Sequence, residues 1–234
     1  MKKFVVVLAL AGCTRDPAPS PELSSARAAL AAREQKLTSF RIDATSTEKN
    51  ERARYTFSFA APNLGRGRIE GPRDVEVAFD GKQLISIDHS AKTWTVEPPP
   101  PLLHAVFAPF APEGFRPPLL PSRGVTAKKV RHARAQDAME LSVSPGDGIT
   151  VTWTLRMPNG DFLEKQTVNG VHTDVLMVIT ETCNDQLCVP TRLVESFDGA
   201  TIGETKVTLV ELNPKLALDT FTPAPPEGFQ RITR

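Results

Sequence analysis

The strongest constraint on the fold is a strict alternation of apolar and polar side chains between residues 55 and 96. In several successive runs, a large apolar residue occupies every second position. A period of two places all of these side chains on one face of a strand. Asp80-Gly81, which separates two of the runs, is a tight-turn signal. The stretch therefore predicts an antiparallel meander with one apolar, aromatic-rich face and one solvated face.

The large apolar residues of this meander, together with a tryptophan from a later strand, are predicted to line a hydrophobic cavity on the inside of a curved sheet. They are Tyr55, Phe57, Phe59, Val75, Val77, Phe79, Trp94 and Trp153. For each residue taken singly, the alternative is ordinary core packing. A cavity of this composition would bind an acyl chain by burial alone, at about 0.8 kcal/mol per methylene.

The rest of the chain contains further segments that are predicted to be strands. A strand is predicted at residues 40–49 before the meander, one or two strands at 125–143, and more at 150–155, 162–168, 175–182, 189–197 and 205–212. A conservative count gives ten or eleven strands with short turns between them. We therefore predict a mainly β fold with some α, in which one strongly curved antiparallel sheet forms a half-barrel.

One helix precedes the first strand. Ser20 suits the N-cap and Pro21 the first helical position, and the pattern continues to about Lys36. Its apolar stripe is predicted to cover the apolar face of the sheet, and it comprises Leu23, Ala26, Leu30 and Leu37.

Residues 97–121 form a second candidate cover, which we call the lid. Nine of these 25 residues are proline. Disordered proline-rich linkers contain few large apolar groups, whereas the lid contains Leu102, Leu103, Val106, Phe107, Phe110, Phe115, Leu119 and Leu120. The segment is therefore expected to pack over the open side of the sheet. A rigid loop whose apolar groups simply complete the core has the same composition, so both interpretations stay open.

The N-terminus resembles a bacterial lipoprotein signal. Lys2 and Lys3 precede a short apolar run that ends in Leu10-Ala11-Gly12-Cys13. Residues 1–12 are predicted to be a signal peptide, Cys13 the acylated residue, 13–20 a tether, and 21–234 a single domain that includes the lid. Several acyl chains on Cys13 would anchor the protein to a membrane. The alternative is an ordinary secretory signal followed by a chance cysteine.

Two further cysteines remain, Cys183 and Cys188. An even remainder in an exported protein predicts a disulfide, here a staple across a hairpin. A redox-active pair is disfavoured because four residues, rather than two, separate the cysteines.

The sequence offers no recognisable constellation for catalysis. It contains no G-x-S-x-G elbow, and its four histidines lack the spacing of a metal site. Gly65, Gly67 and Gly71 are predicted to lie around a strand bend and not in a phosphate loop, since no helix follows them. We expect no catalytic residue, no metal and no cofactor. The net charge of +1 gives no reason to expect nucleic acid as a partner.

The order of these features resembles the LolA/LolB-like periplasmic lipoprotein carriers. A helix precedes the first strand, and a proline-rich interruption follows the meander. The resemblance covers roughly residues 22–229 and includes the segments Val77-Ala78-Phe79-Asp80-Gly81-Lys82, Val189-Pro190-Thr191-Arg192-Leu193, Glu211-Leu212-Asn213-Pro214 and Pro225-Pro226-Glu227-Gly228-Phe229.

The resemblance implies a half-barrel closed by helices, with an apolar cavity that takes acyl chains of lipids or of acylated lipoproteins. The carrier of that family is soluble, whereas this chain has its own acylation signal. That difference favours an anchored acceptor or lipid-binding lipoprotein, expected to be a monomer in the cell envelope. Thr14 after the cysteine points to the outer membrane, facing the periplasm. The alternative function is a structural or interaction lipoprotein of the same fold with a closed core and no lipid ligand.

Overall fold

The structure, a computed structural model, describes residues 19–101, 103–118 and 120–233. Cys13, Leu102, Leu119 and the predicted signal peptide lie outside the described residues. Within the described part, fourteen strands form one large, strongly curved and unclosed sheet, so the predicted half-barrel is confirmed. All strand pairs are antiparallel except the last, which is parallel.

The elements follow one another with short connections. In chain order they are α1 (Pro21–Lys36), β1 (Ser39–Glu48), β2 (Glu51–Ala60), β3 (Leu64–Glu70), β4 (Val75–Phe79), β5 (Leu84–Asp88), β6 (Thr93–Glu97), α2 (Leu103–Phe107), β7 (Val125–His132), β8 (Ala135–Gly146), β9 (Ile149–Arg156), β10 (Asp161–Asn169), β11 (His172–Cys183), β12 (Cys188–Phe197), β13 (Ala200–Leu212), a 3₁₀ turn (Leu218–Phe221) and β14 (Gln230–Arg231).

The sheet has two halves that meet at the β1–β13 pair. Its order is β14-β6-β5-β4-β3-β2-β1-β13-β12-β11-β10-β9-β8-β7 among the described residues. The first meander therefore forms one half and the later strands the other. The predicted count of ten or eleven strands was too low, partly because 125–143 forms two strands and the tail, expected to be irregular, adds β14.

Strand register assigns the side chains to two faces. Phe57 lies opposite Ile42 on β1 and Gly67 on β3, and Gly67 lies opposite Val77 on β4. Residues directly opposite one another in a ladder share a face. We call the face that carries Phe57 and Val77 the inner face. Phe40, on this face, is buried together with Phe57.

Helix α1 begins as predicted. The Ser20 hydroxyl accepts a hydrogen bond from the Leu23 backbone N–H at 3.1 Å, and Pro21 occupies the first turn. Of the predicted apolar stripe, Leu37, just after the end of the helix, packs in the cluster of the first meander, but the other residues do not. Leu23, Ala26 and Leu30 pack in a cluster with residues of β7, β8 and β9. The helix thus covers the second half of the sheet and leaves the first half to the lid.

Trp94 departs from the prediction. It lies opposite Ile87 on β5, whereas Ser86 of that strand lies opposite Val77. Trp94 is therefore on the outer face, and the prediction that it shares a cavity with Val77 is wrong. The C-terminal tail covers it there: β14 pairs with β6, and the Arg231 guanidinium stands 5.2 Å from the centre of the indole ring.

The predicted disulfide is present. Cys183 and Cys188 are directly opposite one another at the ends of β11 and β12, and their sulfurs are bonded. Between them, the Asn184 side chain accepts hydrogen bonds from the backbone N–H groups of Gln186 and Leu187. Leu187 is buried on the inner face in the cluster that contains Phe40, Phe57 and Phe79. The disulfide therefore also fixes the position of a buried apolar side chain.

In the part of the chain that the structure describes, no helix has both the length and the apolar character needed to cross a bilayer.

Candidate functional site

The lid lies over the inner face of the first half of the sheet. Phe107 is 2% exposed, Phe110 3% and Phe115 2%. Their rings join those of the sheet in one cluster: the Phe57 and Phe107 ring centroids are 5.5 Å apart, and so are those of Phe40 and Phe115. These separations are within the favourable range for aromatic pairs. The inner face of this half is thus largely filled by the protein's own side chains.

Two glycines of β3 receive the lid rings. A methyl group on Gly67 would come within 2.4–2.6 Å of the Cγ, Cβ and Cδ1 atoms of Phe110, and one on Gly65 within 2.9 Å of the Phe107 ring edge. Glycine inside a strand often marks such a close approach. The sequence prediction of a bend is correct for Gly71, which follows the end of β3, and wrong for Gly65 and Gly67. They lie inside β3 because the lid rings sit directly on its backbone.

Polar contacts fasten the lid at its middle. The Arg33 side chain of α1 donates a hydrogen bond to the Gly114 carbonyl at 2.6 Å. Lys165 of β10 forms an ion pair with Glu113 at 2.8 Å. The Arg116 guanidinium lies 4.9 Å from the centre of the Phe59 ring. The lid is therefore bound to the helix and to both halves of the sheet.

Arg33 organises the region where these elements meet. It is 3% exposed and forms an ion pair with Asp161, which is 1% exposed. Its second Nη atom also donates to the Cys188 carbonyl at 2.8 Å, and the Cys188 N–H donates to Asp161 at 3.0 Å. Burial lowers the pKa of the Arg33 guanidinium, while the Asp161 charge opposes that shift. The pair thus links α1, the lid, β10 and β12 through buried polar groups.

A pocket of about 150 Å³ remains under the lid on the inner face. Its roof is residues 109–113, and its floor comes from five strands, β1, β2, β11, β12 and β13. The floor residues are Ser46, Tyr55, Leu176, Leu193 and Thr205. Sites for drug-sized ligands occupy roughly 300–1,000 Å³. The pocket therefore accepts a small group as it stands, and an acyl chain would have to displace part of the lid.

The predicted cavity residues fall into five groups. Tyr55 lines the pocket, while Phe57 and Phe79 are buried in the aromatic cluster. Phe59, Val75 and Val77 are half-buried and pack against that cluster. Trp153 belongs to a separate cluster of the second half, and Trp94 is on the outer face.

The predicted lid residues nearly all face the protein. Leu103 and Val106 pack against the aromatic cluster beside Phe107, Phe110 and Phe115. Leu120 packs against the two clusters of the second half. The lid therefore spans from one half of the sheet to the other.

Two kinds of site residue were missed. Arg33 stands three residues after Leu30 and seven after Ala26, so a charge on the apolar stripe of α1 was the signal for a buried ion pair. Ser46 continues the inner-facing series of Phe40, Ile42 and Ala44 by one more period of two. That continuation indicated a polar residue on the inner face.

Carboxylates border the pocket on the inner face. Glu195 of β12 lies opposite Leu176, which lines the pocket, and opposite Gly203. Glu48 of β1 lies opposite the same glycine from the other side. Burial, together with the charges of Asp174 and Glu48, raises the pKa of Glu195. Burial and Glu48 likewise raise the pKa of Tyr55. This border repels anions unless a cation accompanies them.

Replacing Glu195 with glutamine is expected to raise the Tm at pH 7 and to leave it unchanged at pH 4. Because the folded-state pKa is raised, ionisation costs stability as the pH rises from about 4.3, the unfolded value, through the folded pKa. Thermal unfolding followed by circular dichroism at both pH values measures the difference.

Glu204→Gln is the matched control. Hydrogen bonds from Arg192 and Lys206 lower the pKa of Glu204, so its neutralisation should not raise the Tm at pH 7. Equal Tm values for wild type and Glu195→Gln at pH 7 would contradict the assigned electrostatics of the pocket border.

Glu181 lies close to both cysteines in an arrangement that resembles three metal ligands. Cys183 and Cys188 are joined in the disulfide, and zinc binding requires free thiolates. Glu181 instead forms ion pairs with Arg134 and Arg156. Burial acts to raise the pKa of Glu181, but these arginines outweigh it and the net shift is downward.

The fold and the site together define a class of protein: an unclosed half-barrel whose inner face is covered by one helix and a lid. Among solved structures, the chain is similar to a DUF1329 family protein from Desulfovibrio piger, with a TM-score of 0.56, 10% identity and coverage of 86% of this chain and 98% of the other. At this identity the likeness shows the shared fold alone.

Two more structures are similar at lower scores. A LolA superfamily protein from Nitrosomonas europaea has a TM-score of 0.49 and 12% identity, covering 85% of this chain and 97% of its own. An uncharacterised conserved protein from Thermus thermophilus has a TM-score of 0.48 and 12% identity, covering 90% and 99%. A LolA superfamily protein is thus among the structural neighbours. No protein-family model matches the sequence, and no curated protein matches it.

Proposed function

We propose that this protein binds the acyl chains of lipids or of acylated lipoproteins between the inner face of the half-barrel and the lid. The observation that carries the proposal is the pocket beneath residues 109–113, which extends across five strands of the sheet. The lid above it is a separate segment that seats two rings on bare glycine backbone. Removing such a cover would expose apolar side chains of the inner face, among them Phe40, Phe57 and Phe79.

The free energy lost when the lid opens is similar to the free energy gained when an acyl chain is buried in its place. Exposing the rings of Phe107, Phe110 and Phe115 costs about 5–9 kcal/mol, at roughly 1.5–3 kcal/mol for each ring. Burying a dozen methylenes in their place contributes about 10 kcal/mol. A long acyl chain therefore offsets the opening of the lid, whereas a short one does not.

The lipoprotein-like N-terminus supports a location in the cell envelope. We propose that acylated Cys13 anchors the chain to the outer membrane, facing the periplasm, and that the domain acts there as a non-catalytic monomer. In this position it would take part in lipoprotein transport or insertion. The tether at residues 13–20 is short, so the pocket would stay near its membrane.

A second candidate is a structural or interaction lipoprotein with a closed core. It is favoured by the near-complete burial of the three lid phenylalanines in a cluster continuous with Phe40 and Phe57. In this case the lid is a permanent part of the core, and the 150 Å³ pocket is a packing defect.

Native mass spectrometry of a chain expressed from Thr14 onward separates the two functions. We expect a co-purifying lipid mass, and uptake of an uncharged fluorescent acyl lipid by the delipidated protein. Unloaded protein that also fails to take up the probe would contradict lipid binding. Capture of an envelope protein by that unloaded form would then support the interaction role.

A further inference from the structure

Trp153 of β9 has a hydrogen-bond donor that nothing uses. The residue is 7% exposed, and its Nε1 atom has no hydrogen-bond partner among the described residues. Buried indole N–H groups usually find an acceptor, because an unmade bond at a buried donor costs about 1–3 kcal/mol. Each such orphan in a folded protein calls for an explanation.

The surroundings of this indole connect it to the pocket. Trp153 packs with Leu193, and Leu176 packs against the same cluster. Both leucines line the pocket under the lid. On β10, Lys165 is the direct neighbour of Trp153 and holds Glu113 of the pocket roof. The indole therefore stands behind the pocket wall, at the place where the lid is fastened.

The lid also covers the indole cluster directly, since Leu120 packs against it. If the lid lifts, as the proposed function requires, Glu113 leaves Lys165 and Leu120 leaves the cluster that contains Trp153. The pocket and the indole then become one continuous site. The donor at its inner end is neutral and lies among apolar side chains, including Phe162 and Val178.

We propose that the Trp153 indole N–H donates to the carbonyl oxygen of an acyl ester or amide whose chain occupies the pocket. This inference rests on the proposed function. A carbonyl fits for two reasons: indole only donates, and a neutral acceptor costs far less to bury than a carboxylate. Esterified and amide-linked acyl groups, as found in glycerolipids and acylated polypeptides, carry such a carbonyl.

The test compares two uncharged lipids of equal chain length, a monoacylglycerol and a monoalkylglycerol ether. They differ in the carbonyl, so fluorescence titration of the delipidated wild type measures its contribution. We expect the ester to bind roughly five- to tenfold more tightly. The variant Trp153→Phe should bind both lipids equally, while Trp94→Phe, on the outer face, should keep the preference.

Trp94→Phe also leaves Trp153 as the sole indole of the chain, which gives a second measurement that needs no change at the site. In this variant, binding of the ester should shift the wavelength of Trp153 fluorescence more than binding of the ether does. Equal affinities in the wild type, or a preference that survives Trp153→Phe, would overturn the inference and leave lipid binding intact. Binding of neither lipid overturns the proposed function and this inference with it.

Discussion

Replacing Arg33 with methionine is expected to lower the free energy of unfolding by about 3–5 kcal/mol, the usual cost of removing one partner of a buried ion pair. The substitution leaves the Asp161 carboxylate, 1% exposed, without its closest cation. It also removes the donors to the Gly114 and Cys188 carbonyls. Urea unfolding monitored by tryptophan fluorescence gives the difference.

Two companion variants make the Arg33 result specific. The double variant Arg33→Met/Asp161→Leu should recover part of the loss, because it removes the unpaired buried carboxylate. The Gly114 and Cys188 carbonyls still lack their donor in that variant. Arg27→Met removes a half-buried arginine on the same helix, whose hydrogen bonds to the Pro121 and Ser122 carbonyls are exposed. It should change stability by only about 0.5–1 kcal/mol. A loss below about 1 kcal/mol for Arg33→Met would show that the pair does not hold these elements together.

Gly67→Ala is expected to lower the free energy of unfolding by about 1–3 kcal/mol, as overpacking does, and to increase the uptake of a fluorescent acyl lipid. The new methyl group meets the Cβ and Cγ atoms of Phe110. These atoms are close to the backbone, so the lid itself must move. A lid that is held partly open makes the folded protein less stable, but less free energy is then needed to open the lid for a ligand.

Alanine substitutions at two other glycines serve as comparisons for Gly67→Ala. Gly65→Ala should act more weakly, because the new methyl group meets only the ring edge of Phe107 at 2.9 Å. Gly203→Ala should change little, because its nearest contacts, at 3.4 Å, are the Glu195 carboxylate and the Thr47 carbonyl. A destabilised Gly67→Ala protein with unchanged uptake would support the closed-core alternative over a lid.

The period-two pattern of the sequence predicted the sheet and most of its inner face. Phe57 and Phe79 are buried as the alternation required. Trp94 was misplaced because alternation within a strand does not reveal which of its faces turns inward. That depends on the register with β5 and on the covering tail, where Arg231 meets the indole ring. Both are long-range contacts that no local pattern contains.

The lid could be located but not interpreted from its composition. Its prolines and phenylalanines predicted a segment packed on the sheet, and it is packed there. How it is held depends on partners distant in sequence, such as Asp161 and Arg33, which are 128 residues apart. Gly65 and Gly67 carry no side-chain signal of their own. Only the fold shows that two phenylalanines of the lid lie against them.

The most direct test of a removable lid is to locate the acyl chain itself. A monoacylglycerol with a photoactivatable diazirine near the end of its acyl chain is bound, irradiated and mapped by peptide mass spectrometry. We expect label on β2 and on the lid, reduced by competition with unlabelled monoacylglycerol. Label confined to exposed apolar side chains such as Val171 and Leu218, or no label that a competitor reduces, would contradict binding beneath the lid.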